Sequence, residues 1–228
     1  MKTGIVIVSW NKPDILSRCV NSILKHKPDD CGIIIVDNGS DDTGFLKDYS
    51  DAEVILNKEN IGCPAALNQG FRKAIENGAE YIFRADNDIE VTEGAIQELV
   101  KVANERDAIT APFTNSGSPH QTRQECTTDH YSPGTVIAVP SVTGFFVCYP
   151  KDIWLDTGEF PCKTDKGEVL LRYAEDTMHC LIAVEKGHRI YACPHAWVLH
   201  EHGASRDMGD FVTDRKRAAE YFNRWRKV

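Results

Sequence analysis

Several absences bound what this chain can be. Its eight cysteines (Cys19, Cys31, Cys63, Cys126, Cys148, Cys162, Cys180 and Cys193) form no Cys-x-x-Cys pair, and several sit in apolar segments where a free thiol behaves as a small hydrophobe. Reduced structural thiols are therefore expected, over a single disulfide or adventitious metal binding, and this fits a cytoplasmic protein. No apolar stretch approaches the roughly 20 residues of a membrane span. Met1-Lys2-Thr3 ahead of Gly4-Ile5-Val6-Ile7-Val8 is too short and too quickly polar for a signal peptide, so a soluble, intracellular chain is expected. An excess of basic charge is missing too. With 34 acidic against 26 basic side chains the formal net charge is -8, which argues against general nucleic-acid binding through counterion release but leaves room for a local basic patch. The first expected turn, Ser9-Trp10-Asn11-Lys12-Pro13, carries no Gly-x-Gly-x-x-Gly, which argues against a bound dinucleotide. There is no internal repeat and no low-complexity tract.

What is present is enough apolar sequence, 42% of 228 residues, for one domain with a full core. The first hundred residues alternate short β-branched runs with helical patterns, which predicts βαβ units and a mainly parallel sheet. Strands are expected at Gly4 to Trp10, Ile33 to Asp37, Glu53 to Leu56 and Tyr81 to Arg84. Pro13 opens a helix with Ile15, Leu16, Cys19, Val20, Ile23 and Leu24 on one face; others are expected from Pro64 to Asn77 and from Thr92 to Asn104. From Thr114 to Pro133 the composition turns to Ser, Thr, Gly, Pro and Gln without a period, so a long loop or lid is expected. Strands at Val136 to Val139 and Gly144 to Tyr149, a helix at Ala174 to Lys186, a strand at Arg189 to Cys193 and a helix from Asp210 to Trp225 complete the pattern.

Open sheets of this kind bind ligands beyond the carboxyl ends of their strands. Four loops there are polar: Ser9-Trp10-Asn11, Asp37-Asn38-Gly39-Ser40, Asn60-Ile61-Gly62 and Asp86-Asn87-Asp88. The second offers a carboxylate, an amide and a hydroxyl that suit a nucleobase or ribose; an Asx-rich turn and helix cap is its other reading. In the fourth, Asp86 and Asp88 stand one residue apart at a strand end. That suits a hard divalent cation such as Mg²⁺ or Mn²⁺ holding a nucleotide diphosphate, the alternative being a capped turn leading into the next helix.

The order Val8-Ser9-Trp10-Asn11, Val36-Asp37-Asn38-Gly39-Ser40, Asn60-Ile61-Gly62 with Ala66, Asn68 and Gly70, then Asp86-Asn87-Asp88, resembles glycosyltransferase family 2 with the GT-A fold, over nearly the whole chain. The resemblance implies an α/β fold with a Rossmann-like, mainly parallel central sheet flanked by helices and a C-terminal acceptor-side extension. Residues 1–228 would form one domain, with 1–111 the nucleotide-sugar half and 112–228 the acceptor half. It implies an inverting transfer of a sugar from a nucleotide-diphosphate donor to a hydroxyl of a carbohydrate, lipid-linked or other acceptor. Ser9, Asn11, Asp37, Asn38, Ser40, Asn60, Gly62, Asn68, Asp86 and Asn87 would face the donor, with Asp37 on the base. Asp86 and Asp88 would hold Mn²⁺ or Mg²⁺, completed by His200, or else His202, from Val198-Leu199-His200-Glu201-His202-Gly203-Ala204-Ser205. A histidine ligand favours Mn²⁺ over Mg²⁺. Ser141-Val142-Thr143-Gly144-Phe145-Phe146 looks like the segment bordering the acceptor, and Ala174-Glu175-Asp176 like the Glu-Asp motif, with Asp176 as general base and Glu175 next in line. After it, Thr177-Met178-His179 stands where many relatives carry another acid or an apolar residue.

The last expected helix carries Arg215, Lys216, Arg217, Arg224, Arg226 and Lys227 among Phe211, Tyr221, Phe222 and Trp225. It reads as a solvated basic face over a core stripe, as a peripheral membrane contact, or as a surface for a polyanion. A transferase of sugars has two rivals: a nucleotidyltransferase, whose Gly-rich phosphate loop Val8 to Pro13 lacks, and a non-catalytic sugar-nucleotide-binding protein, which would have lost some of Asp86, Asp88, Asp176 and His200.

Overall fold

The β-branched runs of the first half alternate sides. Ile5, Ile7, Ile33 and Ile35 pack with Leu16, Cys19, Val20 and Ile23, whereas Val6, Ile34 and Val36 pack with Ala66, Leu67 and Phe71. Such a sheet is buried on both faces, which is why its strands read as nearly unbroken apolar runs. The computed structural model describes residues 2–116, 121, 131–163 and 175–201. Most of the expected lid, His202 and the expected helix from Asp210 to Trp225 lie outside the described residues.

In chain order the elements are β1 (Thr3–Ser9), α1 (Pro13–His26), β2 (Cys31–Asp37), a 3-10 turn (Gly44–Asp48), β3 (Ala52–Leu56), α2 (Cys63–Glu76), β4 (Tyr81–Asp86), β5 (Ile89–Val91), α3 (Ala95–Arg106), β6 (Ala108–Thr114), β7 (Ile137–Ala138), β8 (Phe146–Pro150), α4 (Lys151–Thr157), α5 (Glu175–Glu185) and β9 (Arg189–His200). α1 starts on Pro13, whose missing N–H costs nothing in a first turn. It stops at Lys27, which is extended because Pro28 follows. α2 lies tight on β1: a Cβ on Gly70 would stand 2.2 Å from Val6 Cγ1, so only glycine permits this approach.

The nine strands among the described residues form one sheet in the order β3-β2-β1-β4-β8-β6-β9-β5, with β7 beside β9. β3, β2, β1 and β4 are mutually parallel, as expected. Beyond β4 the sheet is mixed, because β8 runs antiparallel to both β4 and β6 while β9 is parallel to β6. The carboxyl ends of β1, β2, β3, β4, β6 and β9 therefore share one sheet end with the start of β8.

The 3-10 turn, β5, β6 and α4 are not among the elements the sequence predicts, and β9 is longer than expected. β6 runs to Thr114, where a loop is expected to begin. β9 runs to His200 and not to Cys193, because its register with β6 jumps from Pro112–Cys193 to Phe113–Trp197 and the intervening residues bulge out. Pro112 and Pro194 lack the N–H a ladder needs, and a bulge at that point lets pairing resume. Of the eight cysteines seven are described, and all seven are free. Burial pushes the thiols of Cys19, Cys31, Cys148, Cys180 and Cys193 up, as suits inert packing groups.

Candidate functional site

The shared sheet end gathers the polar loops. At the ends of β1 and β2, Asp37 Oδ2 accepts the Ser40 hydroxyl at 2.5 Å and Oδ1 accepts the Ser40 N–H at 3.0 Å. Ser40 Oγ in turn accepts the Asn11 N–H at 2.7 Å, and the Asn38 N–H reaches the Ser9 carbonyl at 2.7 Å. Asn38 Nδ2 donates to Asn60 Oδ1 at 2.9 Å, while Asn38 Oδ1 accepts from Asn57 and from the Ile61 N–H. Asn60 Oδ1 also takes the Gly62 N–H at 3.0 Å. Three loops are thus tied by neutral amides and one buried carboxylate. Asp37 and Asn38 are buried and hold this scaffold, while Asn11 and Ser40 are half-buried and Trp10 and Asn60 are exposed at its rim.

Asn68 is placed elsewhere. It lies on α2, 2% exposed, with Oδ1 accepting the Phe160 N–H and Nδ2 donating to the Phe160 carbonyl, both at 2.9 Å. Its amide fixes the segment after α4 and does not join the polar loops.

β4 and β9 deliver the acids and the imidazole. Asp86, Asp88 and His200 place one ligand atom each within 4.8 Å of one another. His200 is held from three sides: its N–H donates to Asn115 Oδ1 at 2.8 Å, its carbonyl accepts from Asn115 Nδ2, and its ring stacks on Phe145 with centroids 5.0 Å apart. Nδ1 lies 2.8 Å from the Ser116 carbonyl, and because a carbonyl only accepts, Nδ1 carries the hydrogen. Nε2 therefore faces Asp88 Oδ1, at 3.4 Å. Burial works against a charged imidazole, but the Asp88 hydrogen bond and the Asp86 charge outweigh it and raise the His200 pKa. Burial likewise raises Asp86, with Asp88 adding and Arg84 and His200 opposing. Asn87 is buried between the two acids.

The donor set fits a divalent ion. With ion–ligand bonds of about 2 Å, ligands of one ion lie roughly 3 to 4 Å apart, so small side-chain adjustments close the observed spacing. Two carboxylates beside an imidazole suit Mn²⁺ well. A fixed Nδ1–H orients the ring, as metal-binding histidines require.

The Glu-Asp motif reaches the same end. Asp176 Oδ2 accepts the Gly144 N–H at 2.8 Å and Oδ1 accepts the Thr177 N–H at 2.6 Å. Glu175 points inward, 3% exposed, and pairs with Arg84 at 2.7 Å. Burial raises its pKa while Arg84 opposes. Arg84, Asn115 and Gln121 were not singled out in the sequence, although a lone arginine inside the run Tyr81 to Ala85 is a signal, since a charge on a doubly buried strand needs a partner. Gln121 is fully buried; its Oε1 accepts the Thr143 N–H at 2.7 Å and its Nε2 reaches the Pro112 carbonyl.

The Glycosyl transferase family 2 family model matches residues 4–149. The chain belongs to glycosyltransferase family 2. Glycosyltransferase GlyG of Streptococcus pneumoniae serotype 4 is 36% identical over 111 residues, covering 46% of this chain and 36% of that protein. The uncharacterized glycosyltransferase EpsJ of Bacillus subtilis is 27% identical over 126 residues, 52% of this chain and 36% of that protein. This family 2 chain spans about a third of the length of these curated relatives. Among solved structures, GalNAc-T7 with UDP, GalNAc and Mn²⁺ matches with a TM-score of 0.70 at 17% identity, over 87% of this chain and 43% of that one. Residues 1–349 of Staphylococcus aureus TarS with UDP-GlcNAc match with a TM-score of 0.64 at 16% identity, over 90% and 60%. The fold is GT-A: a central sheet with flanking helices, as in these glycosyltransferases. No helix among the described residues is long and apolar enough to cross a membrane.

Proposed function

We propose that this family 2 chain transfers a sugar from a nucleotide-diphosphate donor to a hydroxyl acceptor, with inversion. The observation that carries this is the grouping of Asp86, Asp88 and His200 within 4.8 Å, at the sheet end that also holds Asp176 and the loops of Ser9, Asn11, Asp37, Asn38, Ser40, Asn60 and Gly62. The presence of UDP and Mn²⁺ with one neighbour and UDP-GlcNAc with another supports it.

Asp86, Asp88 and His200 would hold Mn²⁺ or Mg²⁺, which when bound supplies positive charge to the departing diphosphate. The loops at the ends of β1 to β3, already tied together, present a pre-ordered face to the nucleotide, so little ordering cost remains for donor binding. Asp176 takes the proton of the acceptor hydroxyl as that oxygen attacks from the face opposite the diphosphate. Its two backbone N–H donors fix its direction, and a carboxylate keeps further lone pairs for the incoming proton. The acceptor is a carbohydrate, lipid-linked or other hydroxyl compound. The protein works in the cytoplasm.

A thermal-shift screen of nucleotide sugars with and without Mn²⁺ tests the reading. A donor at 100 times its dissociation constant adds about 2.7 kcal/mol of stability. Stabilisation by a nucleotide sugar that requires Mn²⁺ is the expected result; no response to any donor with Mn²⁺ present would refute it.

A further inference from the structure

Arg84 is a costly residue to place where it is. It lies on β4 with 5% of its surface exposed, in a sheet covered on both faces. Its Nη2 pairs with Glu175 Oε1 at 2.7 Å and touches Asp86 Oδ1 at 3.4 Å, while Nε and Nη1 are buried without a hydrogen-bond partner among the described residues. Buried ion pairs are frequently no more stabilising than apolar side chains of similar volume, and unpartnered buried donors subtract further. Stability alone does not account for this arginine. Its neighbours do. Asp86 is a candidate cation ligand, and Glu175 adjoins the candidate base. The third neighbour is Gly144, which packs flat on the guanidinium: a Cβ there would stand 2.4 Å from both Cζ and Nη1. The N–H of that same Gly144 holds Asp176 Oδ2 at 2.8 Å.

We propose that Arg84 is a positioning residue that sets the cation carboxylate and the base carboxylate at one fixed separation. This rests on the transfer reading given above. On the cation side the guanidinium turns Asp86 toward Asp88 and His200. On the acceptor side it fixes Asp176 twice, through its ion pair to the preceding residue and through the glycine backbone that lies against it. β4 and α5 come from different halves of the chain, and in the described residues Arg84 is the charged group that touches both. In-line displacement needs the base, the anomeric carbon and the diphosphate aligned to within about an ångström, so a strut between the two carboxylates acts on the chemical step more than on donor binding.

Arg84→Lys, Arg84→Met and Gly144→Ala test this. Lysine keeps the charge but loses the planar fork, and the alanine methyl displaces the guanidinium while leaving every charge in place. Mn²⁺ affinity is measured by electron paramagnetic resonance of the free ion, folding by circular dichroism melts, and turnover as UDP release from UDP-GlcNAc and other UDP-sugars. In folded variants the Mn²⁺ dissociation constant should rise about tenfold. The turnover number should fall about 100-fold, with KM for the donor within about threefold of wild type. Folded Arg84→Lys and Gly144→Ala proteins with wild-type Mn²⁺ affinity and turnover would overturn the proposal. If Arg84→Met does not fold because Glu175 is left buried and unpaired, the other two variants decide. A wild-type protein that binds Mn²⁺ but releases UDP from no donor would sink the transfer reading instead, and the Mn²⁺ affinities would then judge Arg84 by themselves.

Discussion

Asn68 and Phe160 close a two-bond ring, with the amide of one side chain satisfying both the N–H and the carbonyl of the other's backbone at 2.9 Å. Phe160 in turn packs edge-on against Phe71 and Tyr149 and lies against His179. The ring therefore pins the segment after α4 to α2 from within the core.

Asn68→Ala should cost about 2–4 kcal/mol, since both Phe160 backbone groups lose their partner away from water. Urea denaturation gives the value. Donor affinity of the folded variant should match wild type; a large loss of affinity with little loss of stability would return Asn68 to the donor site.

Asp88→Asn preserves the size of the side chain and removes its charge. Mn²⁺ binding should weaken by at least roughly tenfold, and donor-dependent turnover should fall with it. EDTA should silence the wild type, and added Mn²⁺ should restore it. Full metal-dependent turnover in Asp88→Asn would remove that acid from the cation site.

Asp176→Asn should retain donor and Mn²⁺ binding yet lose about 10²- to 10⁴-fold in transfer, because an amide does not accept the proton. Isothermal titration with UDP measures the first and steady-state kinetics the second. Wild-type rates in this variant would move the base to Glu175 or beyond.

His179 offers a pH test independent of catalysis. It is fully buried between Tyr149 and Phe160, with Nε2 at 2.9 Å from the Gly158 carbonyl, and burial lowers its pKa to about 4. The unfolded chain takes up this proton near pH 6.5 and the folded one near pH 4, so the unfolded state binds more protons in between. Stability is complete above pH 6.5 and falls as pH drops toward 4, by on the order of 3 kcal/mol from this group. Melting curves of wild type and His179→Gln across that window should differ in slope; parallel curves would show that His179 does not titrate there.

The sequence made the parallel half of the sheet readable because each strand and helix there announces itself locally, by unbroken β-branched runs and by the spacing of Leu16, Cys19, Val20 and Ile23. The strand ends carrying Asp37 and Asp86 followed, and with them the polar loops. β6 and the far end of β9 were less visible: each contains a proline, and their pairing is set by a register jump that no local pattern encodes. Asn68 shows the same limit for the site, since a polar residue on the buried face of α2 looks like a ligand contact until Phe160 is brought beside it from far along the chain. Arg84 looks locally like a plain strand terminus, because its partner Glu175 and its packing neighbour Gly144 arrive only with the second half of the fold.

Asp88 sits just before β5, and β5 is joined to the sheet through β9, the strand that ends in His200. A refolding chain that has assembled only β1 to β4 would possess both acids but lack the imidazole and the strand that seats it. Mn²⁺ captured during refolding would thus report the docking of β9 beside β5, the contact that brings His200 to the two acids.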